Sequence, residues 1–98
     1  MLDAIEEAGR RPRLSPHALL REDAAGSEGG ALLVVLPERA VRISESGREI
    51  LTLCDGARTA AGVAAALRDR HEGVSQIEPD VHVFLAQMER LGVVVSER

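Results

Sequence analysis

The sequence predicts an α+β domain in which a three-stranded antiparallel sheet is followed by three helices. Two observations carry that prediction. Strand-length apolar segments lie between His17 and Ile43, whereas apolar residues spaced by three and four run from Ile50 to Leu91. Strands and helices segregated in this way build a sheet covered on one side by helices. A chain of 98 residues and 10.5 kDa is the size of one such domain.

Residues 1–12 read as a flexible N-terminal tail, with one helical turn between Asp3 and Ala8 as its candidate structure; residues 13–98 read as the domain. Pro12 and Pro16 bias their preceding residues toward extended backbone. The first strand is expected between His17 and Glu22, with Leu20 as its apolar anchor. A Gly-rich connection, Asp23 to Gly30, leads to the continuous run Leu32-Leu33-Val34-Val35-Leu36, which Pro37 ends. Such a run suits a central strand covered by helices. Val41-Arg42-Ile43 alternates as a half-buried strand does, so the two strands around Pro37-Glu38 form a hairpin.

The first helix starts at Ser44 as N-cap, or at Ser46 through a Ser46-x-x-Glu49 capping box. It carries Ile50, Leu53 and Cys54 inward, and Gly56 is its expected stop. Thr59 caps a second helix, Ala60 to Arg70, which buries Val63, Ala66 and Leu67. Pro79 marks the first position of a third helix, which buries the stripe Val81, Phe84, Leu85, Met88 and Leu91 and ends at Gly92. Val93-Val94-Val95 packs back on the body. Three strands beside three helices is the content of a winged-helix-like domain.

Composition narrows the function. Hydrophobic residues make up 45% of the chain and charged residues 29%, as in a folded globular domain. Phe84 is the single aromatic, too little to stack nucleobases. The net charge of −4 and the pI of about 5.3 give no general attraction to phosphate. The candidate recognition helices are mixed or acidic, which disfavours duplex DNA binding. The longest apolar run, Ala31 to Leu36, falls far short of the roughly 20 residues of a membrane helix. An acidic N-terminus without an apolar stretch does not resemble a secretory signal, so the expectation is a soluble cytoplasmic protein.

Catalytic chemistry finds few carriers. Cys54 is alone, which excludes an intramolecular disulfide and a multi-cysteine metal site, and its place beside Ile50 and Leu53 marks it as a buried structural thiol. No two of His17, His71 and His82 stand at i, i+3 or i+4, so neither a metal site nor an acid–base pair is expected. Gly26-x-x-Gly29-Gly30 precedes a strand and lacks the Lys-Ser/Thr of a phosphate loop. Arg10-Arg11-x-Arg13 reads as a solvated run that an acidic partner could engage. The residues therefore predict no enzyme, no cofactor and no metal.

Four separated segments follow one another in order: Arg13-Leu14 with His17 and Leu20-Arg21-x-Asp23; Leu32-Leu33 with Leu36-Pro37-Glu38-Arg39; Ile50-Leu51-x-Leu53-Cys54-Asp55-Gly56-x-Arg58-Thr59; and Ile77-Glu78-x-Asp80-Val81 with Phe84-Leu85 and Leu91-Gly92. Together they resemble the PqqD family of pyrroloquinoline quinone (PQQ) biosynthesis. The family's usual Trp before the Leu-Leu pair is Ala31 here, and an aromatic common near the end of the second helix is His71. The resemblance implies a non-catalytic peptide chaperone, a recognition element for ribosomally made and modified peptides. It would hold a PqqA-like precursor peptide as an added strand on the sheet edge and present it to a PqqE-like radical S-adenosylmethionine (SAM) enzyme. Mapped onto this chain, the edge is Ala40, Val41, Arg42 and Ile43, and the wall of the adjoining trough is Val81, Leu85 and Met88. An exposed edge can also pair with its own copy, so the expected state is a monomer or a weak homodimer. The competing readings are a recognition element of another modified-peptide pathway, a winged-helix DNA regulator, and an enzyme subunit whose site is shared between chains.

Overall fold

The computed structural model describes residues 9–22 and 32–97. In chain order the elements are strand β1 (Arg11–Leu14), β2 (Leu19–Glu22), β3 (Leu32–Val35), β4 (Ala40–Ile43), helix α1 (Glu45–Thr52), α2 (Ala60–Arg70), α3 (Ile77–Leu91) and strand β5 (Val94–Glu97). Strands β2, β3 and β4 form an antiparallel sheet in that order, and the three helices follow it, as expected from the segregated apolar patterns. The Gly-rich connection and the candidate turn near Asp3 lie outside the described residues.

β3 is the central strand because its continuous apolar run serves two environments. Leu32 and Val34 are buried against the helices, and Leu33 and Val35 are half-buried on the other face. Behind the sheet, Leu32, Val34 and Ile43 pack with Leu51, Met88, Val93 and Val94. A second cluster, made of Ile50, Leu53, Cys54, Val63, Ala64, Leu67, Val81 and Leu85, joins the three helices. Phe84 lies half-buried against both clusters. The core is otherwise aliphatic, as the composition requires.

A second sheet was not legible in the sequence. β1 pairs antiparallel with β5, Arg11 opposite Glu97 and Leu14 opposite Val94. Arg11 and Pro12, assigned above to a flexible tail, therefore stand in a strand, and Pro12 is fully buried. The carbonyl of Pro12 accepts from Gly56 N at 3.0 Å and that of Arg10 accepts from Ala60 N at 2.8 Å. Those bonds fix the N-terminal segment to the loop and first turn of α2. The expected return of Val93-Val94-Val95 onto the body takes the form of β5.

Helix boundaries follow their caps, with two corrections. Ser44 is the N-cap of α1, its hydroxyl accepting from Gly47 N at 3.3 Å, so the helix starts at the earlier of the two candidates. It ends at Thr52 with Leu53 as C-cap, so Gly56 is not its stop. Gly56, at φ +80°, instead lets the following loop bond to β1. Thr59 caps α2 as expected, accepting from Gly62 N at 3.0 Å. α3 begins two residues before Pro79, at Ile77, because Gln76 turns the chain at φ +70°. Pro79 is tolerated in the first turn, where amides have no intrahelical partner. Gly92, at φ +82°, ends α3 at its expected place.

Candidate functional site

The site begins with the hydrogen-bond phase of the β3–β4 hairpin. Leu36 N donates to Arg39 O at 2.7 Å and Arg39 N donates to Leu36 O at 3.4 Å, closing a two-residue turn at Pro37-Glu38. Reciprocally bonded pairs alternate along an antiparallel ladder. With Val34 opposite Val41 and Leu32 opposite Ile43, those pairs continue the bonding, and the main chains of Val41 and Ile43 point at β3. The amides and carbonyls of Ala40 and Arg42 consequently point away from β3. Among the described residues β4 has no strand on that side, so it is an edge.

Side-chain direction follows the same register. Residues directly opposite one another share a face. Val41 and Ile43 lie on the helix-covered face with Val34 and Leu32; Val41 is half-buried and Ile43 is buried. Ala40 and Arg42 lie, exposed, on the outer face with Val35 and Leu33. All four edge residues named from the sequence are thus brought together in one strand, two on each face.

The trough wall named from the sequence lies beneath the surface of α3. Val81, Leu85 and Met88 are 1%, 4% and 5% exposed, so they are core residues covered in the free protein. The open face of α3 is the adjoining one, where Asp80, Val83, Phe84 and Gln87 stand at i, i+3, i+4 and i+7. They line a cleft of about 520 Å3 between α1, the end of α2 and α3, with Val81 at its inner surface. Val83 is 59% exposed there. Ser44, the residue that follows β4, lines the same cleft, so β4 leads directly to its mouth.

Gly47 permits this arrangement. A Cβ at Gly47 would sit 2.7 Å from Ile43 Cγ2 and 2.8 Å from Phe84 Cε1. The absence of that carbon lets α1, the end of β4 and α3 close on one point. One side of the cleft is charged. His71 Nε2 lies 2.8 Å from Glu49 Oε1 and 3.0 Å from Oε2, and Arg70 Nη1 is 3.6 Å from Glu49 Oε2. An ionised carboxylate only accepts, so Nε2 carries the hydrogen. This pairing links the end of α2 to α1.

The other reactive residues take structural places. Cys54 is buried, and its thiol donates to Ile50 O at 3.4 Å. Loss of solvation, and secondarily the charge of Asp55, push its pKa up to about 12, far from a thiolate nucleophile at neutral pH. Asp55 Oδ1 accepts from Ala57 N and Arg58 N, both at 2.9 Å, and Oδ2 accepts from Arg58 Nη1 at 3.0 Å. The two backbone amides hold its carboxyl below the usual range, with the Arg58 charge adding to them. Arg10 of the basic run pairs with Glu89 of α3 at 3.4 Å. No group of three or more His, Cys, Asp or Glu is placed to hold a metal ion among the described residues. No helix there is long and apolar enough to cross a membrane.

Comparison with known proteins gives one direction throughout. The family model for coenzyme PQQ synthesis protein D (PqqD) matches residues 31–94. A PqqA binding protein of Rhodopseudomonas palustris (strain TIE-1) is 34% identical over 89 residues, which cover 90% of this chain and 84% of that protein. A PqqA binding protein of Pseudomonas aeruginosa (strain UCBPP-PA14) is 42% identical over 53 residues, 54% of this chain. That match spans 58% of the Pseudomonas protein's own length. Among solved structures, the solution NMR structure of the PqqD truncation of Methylobacterium extorquens PqqCD superimposes with a TM-score of 0.67 at 27% identity. It is described as a functional, stand-alone recognition element for ribosomally synthesised and post-translationally modified peptides, and the match covers 89% of this chain and 88% of that one.

Proposed function

This chain belongs to the PqqD family, and we propose that it binds a PqqA-type precursor peptide, without catalysis, as a strand added to β4. The observation that carries this reading is the outward main chain of Ala40 and Arg42 on an edge that leads to the cleft beside α3. Strand addition takes its affinity from main-chain hydrogen bonds and its selectivity from pockets for alternate side chains. Here the peptide side chains on the helix-covered face meet Val41 and the α3 surface at Phe84. A peptide that continues past Ile43 enters the cleft at Ser44 and meets Val83 and Gln87.

The protein then acts by ordering its ligand. A short peptide held extended is presented to a second protein in one conformation, and the recipient implied by the family is a radical SAM enzyme. Proteins named PqqA binding protein among the relatives support the ligand class, and the burial of Cys54 argues against a cysteine nucleophile. A DNA-regulator reading draws no support from α3, whose exposed positions include Glu78 and Asp80.

The test is an NMR titration of the labelled protein with a synthetic PqqA peptide of Rhodopseudomonas palustris. Shifts confined to Ala40–Ile43, the start of α1 and the Val83–Gln87 face are expected. Saturable binding with shifts centred on β1 and β5 places the peptide elsewhere and contradicts the reading.

A further inference from the structure

We infer that β4 selects peptides of alternating character, with an acidic residue seated across from Arg42 and apolar residues on either side of it in the strand. The inference rests on strand addition at β4 and specifies which peptides that edge accepts.

The three-stranded sheet has two chemically distinct faces, set by its register. One outer row runs Leu19, Val35, Ala40 and the other runs Arg21, Leu33, Arg42. Among these six residues both charges are positive, in a chain whose net charge is −4. On the helix-covered face, the rows ending in β4 are those of Val41, which is half-buried, and Ile43, which is buried in the core. A strand added to β4 inherits this alternation, because successive side chains point to opposite faces. Its residue on the outer face stands beside Arg42, an exposed residue, and opposite charges directly across a ladder attract. The residues before and after it point to the helix-covered face, against Val41 and Ile43, where a charge would be desolvated without a partner. Slipping the register by one residue reverses both environments, so the same pattern that selects the peptide also fixes its register.

Arg21 shares the outer face but lies on the far edge. A strand added to β4 is three interstrand spacings, about 14 Å, from β2, beyond the screening length of about 8 Å at physiological salt. Arg21 is therefore a control of equal charge on the same face.

The experiment uses a synthetic PqqA peptide of Rhodopseudomonas palustris in which each residue in turn is replaced by Asp and by Lys. Affinities are measured by fluorescence anisotropy for the parent protein, Arg42→Glu, Arg42→Gln and Arg21→Glu. One peptide position is expected at which the parent prefers Asp to Lys by about threefold. Arg42→Glu reverses that preference, Arg42→Gln removes it, and Arg21→Glu leaves it unchanged. At the two flanking positions either charge weakens binding. Parent binding with no position reversed by Arg42→Glu overturns the inference and leaves strand addition standing. The same reversal by Arg21→Glu overturns it too, because the effect is then one of net charge. Absence of binding by the parent removes the strand-addition reading, and this inference with it.

Discussion

Phe84 Cε1 lies 2.8 Å from the point that a Cβ on Gly47 would occupy. Ile43 Cγ2 lies at 2.7 Å on the same point. The end of β4, the first turn of α1 and the open face of α3 therefore meet where no side chain stands. A methyl group added there must displace an aromatic ring and a β-branched side chain together. Gly47→Ala is expected to destabilise the fold by about 1–3 kcal/mol, the usual cost of overpacking. It should also weaken PqqA binding beyond the loss of folded protein, because the added carbon separates β4 from α3. Chemical denaturation paired with calorimetric titration checks both effects. Unchanged stability would mean that the contact relaxes without cost.

Two residues of α3 separate support from recognition. Leu85 is 4% exposed among Val63, Val81 and other core residues, so Leu85→Ala should cost about 2–5 kcal/mol of stability. Val83 is 59% exposed over the cleft, so Val83→Glu should leave stability within about 0.5 kcal/mol. If the peptide runs on from Ile43 into the cleft, Val83→Glu weakens binding several-fold while Leu85→Ala, still folded at low temperature, binds nearly as well as the parent. The opposite ranking would place the peptide over the core stripe.

Asp55 ties the loop after α1 through two amides and one guanidinium. Its folded-state pKa lies below the ordinary value of 3.8. A carboxyl with a depressed folded pKa stabilises the fold above its unfolded pKa and loses that contribution as pH falls through the folded value. Asp55→Ala should therefore melt below the parent at pH 7, and the two melting curves should converge as the pH is lowered below 3.8 toward the folded-state value. A gap that persists undiminished at pH 2 would assign the effect to something other than the carboxylate.

Much of this structure was legible in the sequence, and the parts that were not share a cause. Ser44, Thr59 and Gly92 mark helix ends because their local chemistry satisfies orphan amides or permits positive φ. The apolar run at Leu32–Leu36 marks the central strand because burial demands it. β1 was not legible because the alternation of Arg11-Pro12-Arg13-Leu14 is only four residues long and carries a proline, which argues against a strand; Pro12 is buried through pairing with β5, a partner 84 residues away at Ser96. The binding edge could be read from Val41-Arg42-Ile43, whose alternation reports one covered face. The α3 surface could not, since apolar periodicity marks the face a helix buries in its own core. That face is Val81, Leu85 and Met88, of which Val81 alone also lines the cleft, whereas the open positions around it are Asp80, Val83, Phe84 and Gln87. The i, i+3, i+4, i+7 spacing of those four is the signal that was available, weakened by two polar members.

The claim at the centre of this account is that a PqqA-type peptide pairs with the outward main chain of β4. Ala40 and Val41 are adjacent, and the ladder directs the Val41 amide to β3 and the Ala40 amide away from it. Amide hydrogen exchange at these two residues, measured with and without saturating PqqA peptide, tests the claim most directly. The account predicts that peptide slows exchange at Ala40 by about tenfold or more, as a new hydrogen bond forms, while the protection of Val41 against β3 changes little by comparison. Saturation with peptide that leaves Ala40 exchange unchanged and protects the amides of β2 instead would contradict it.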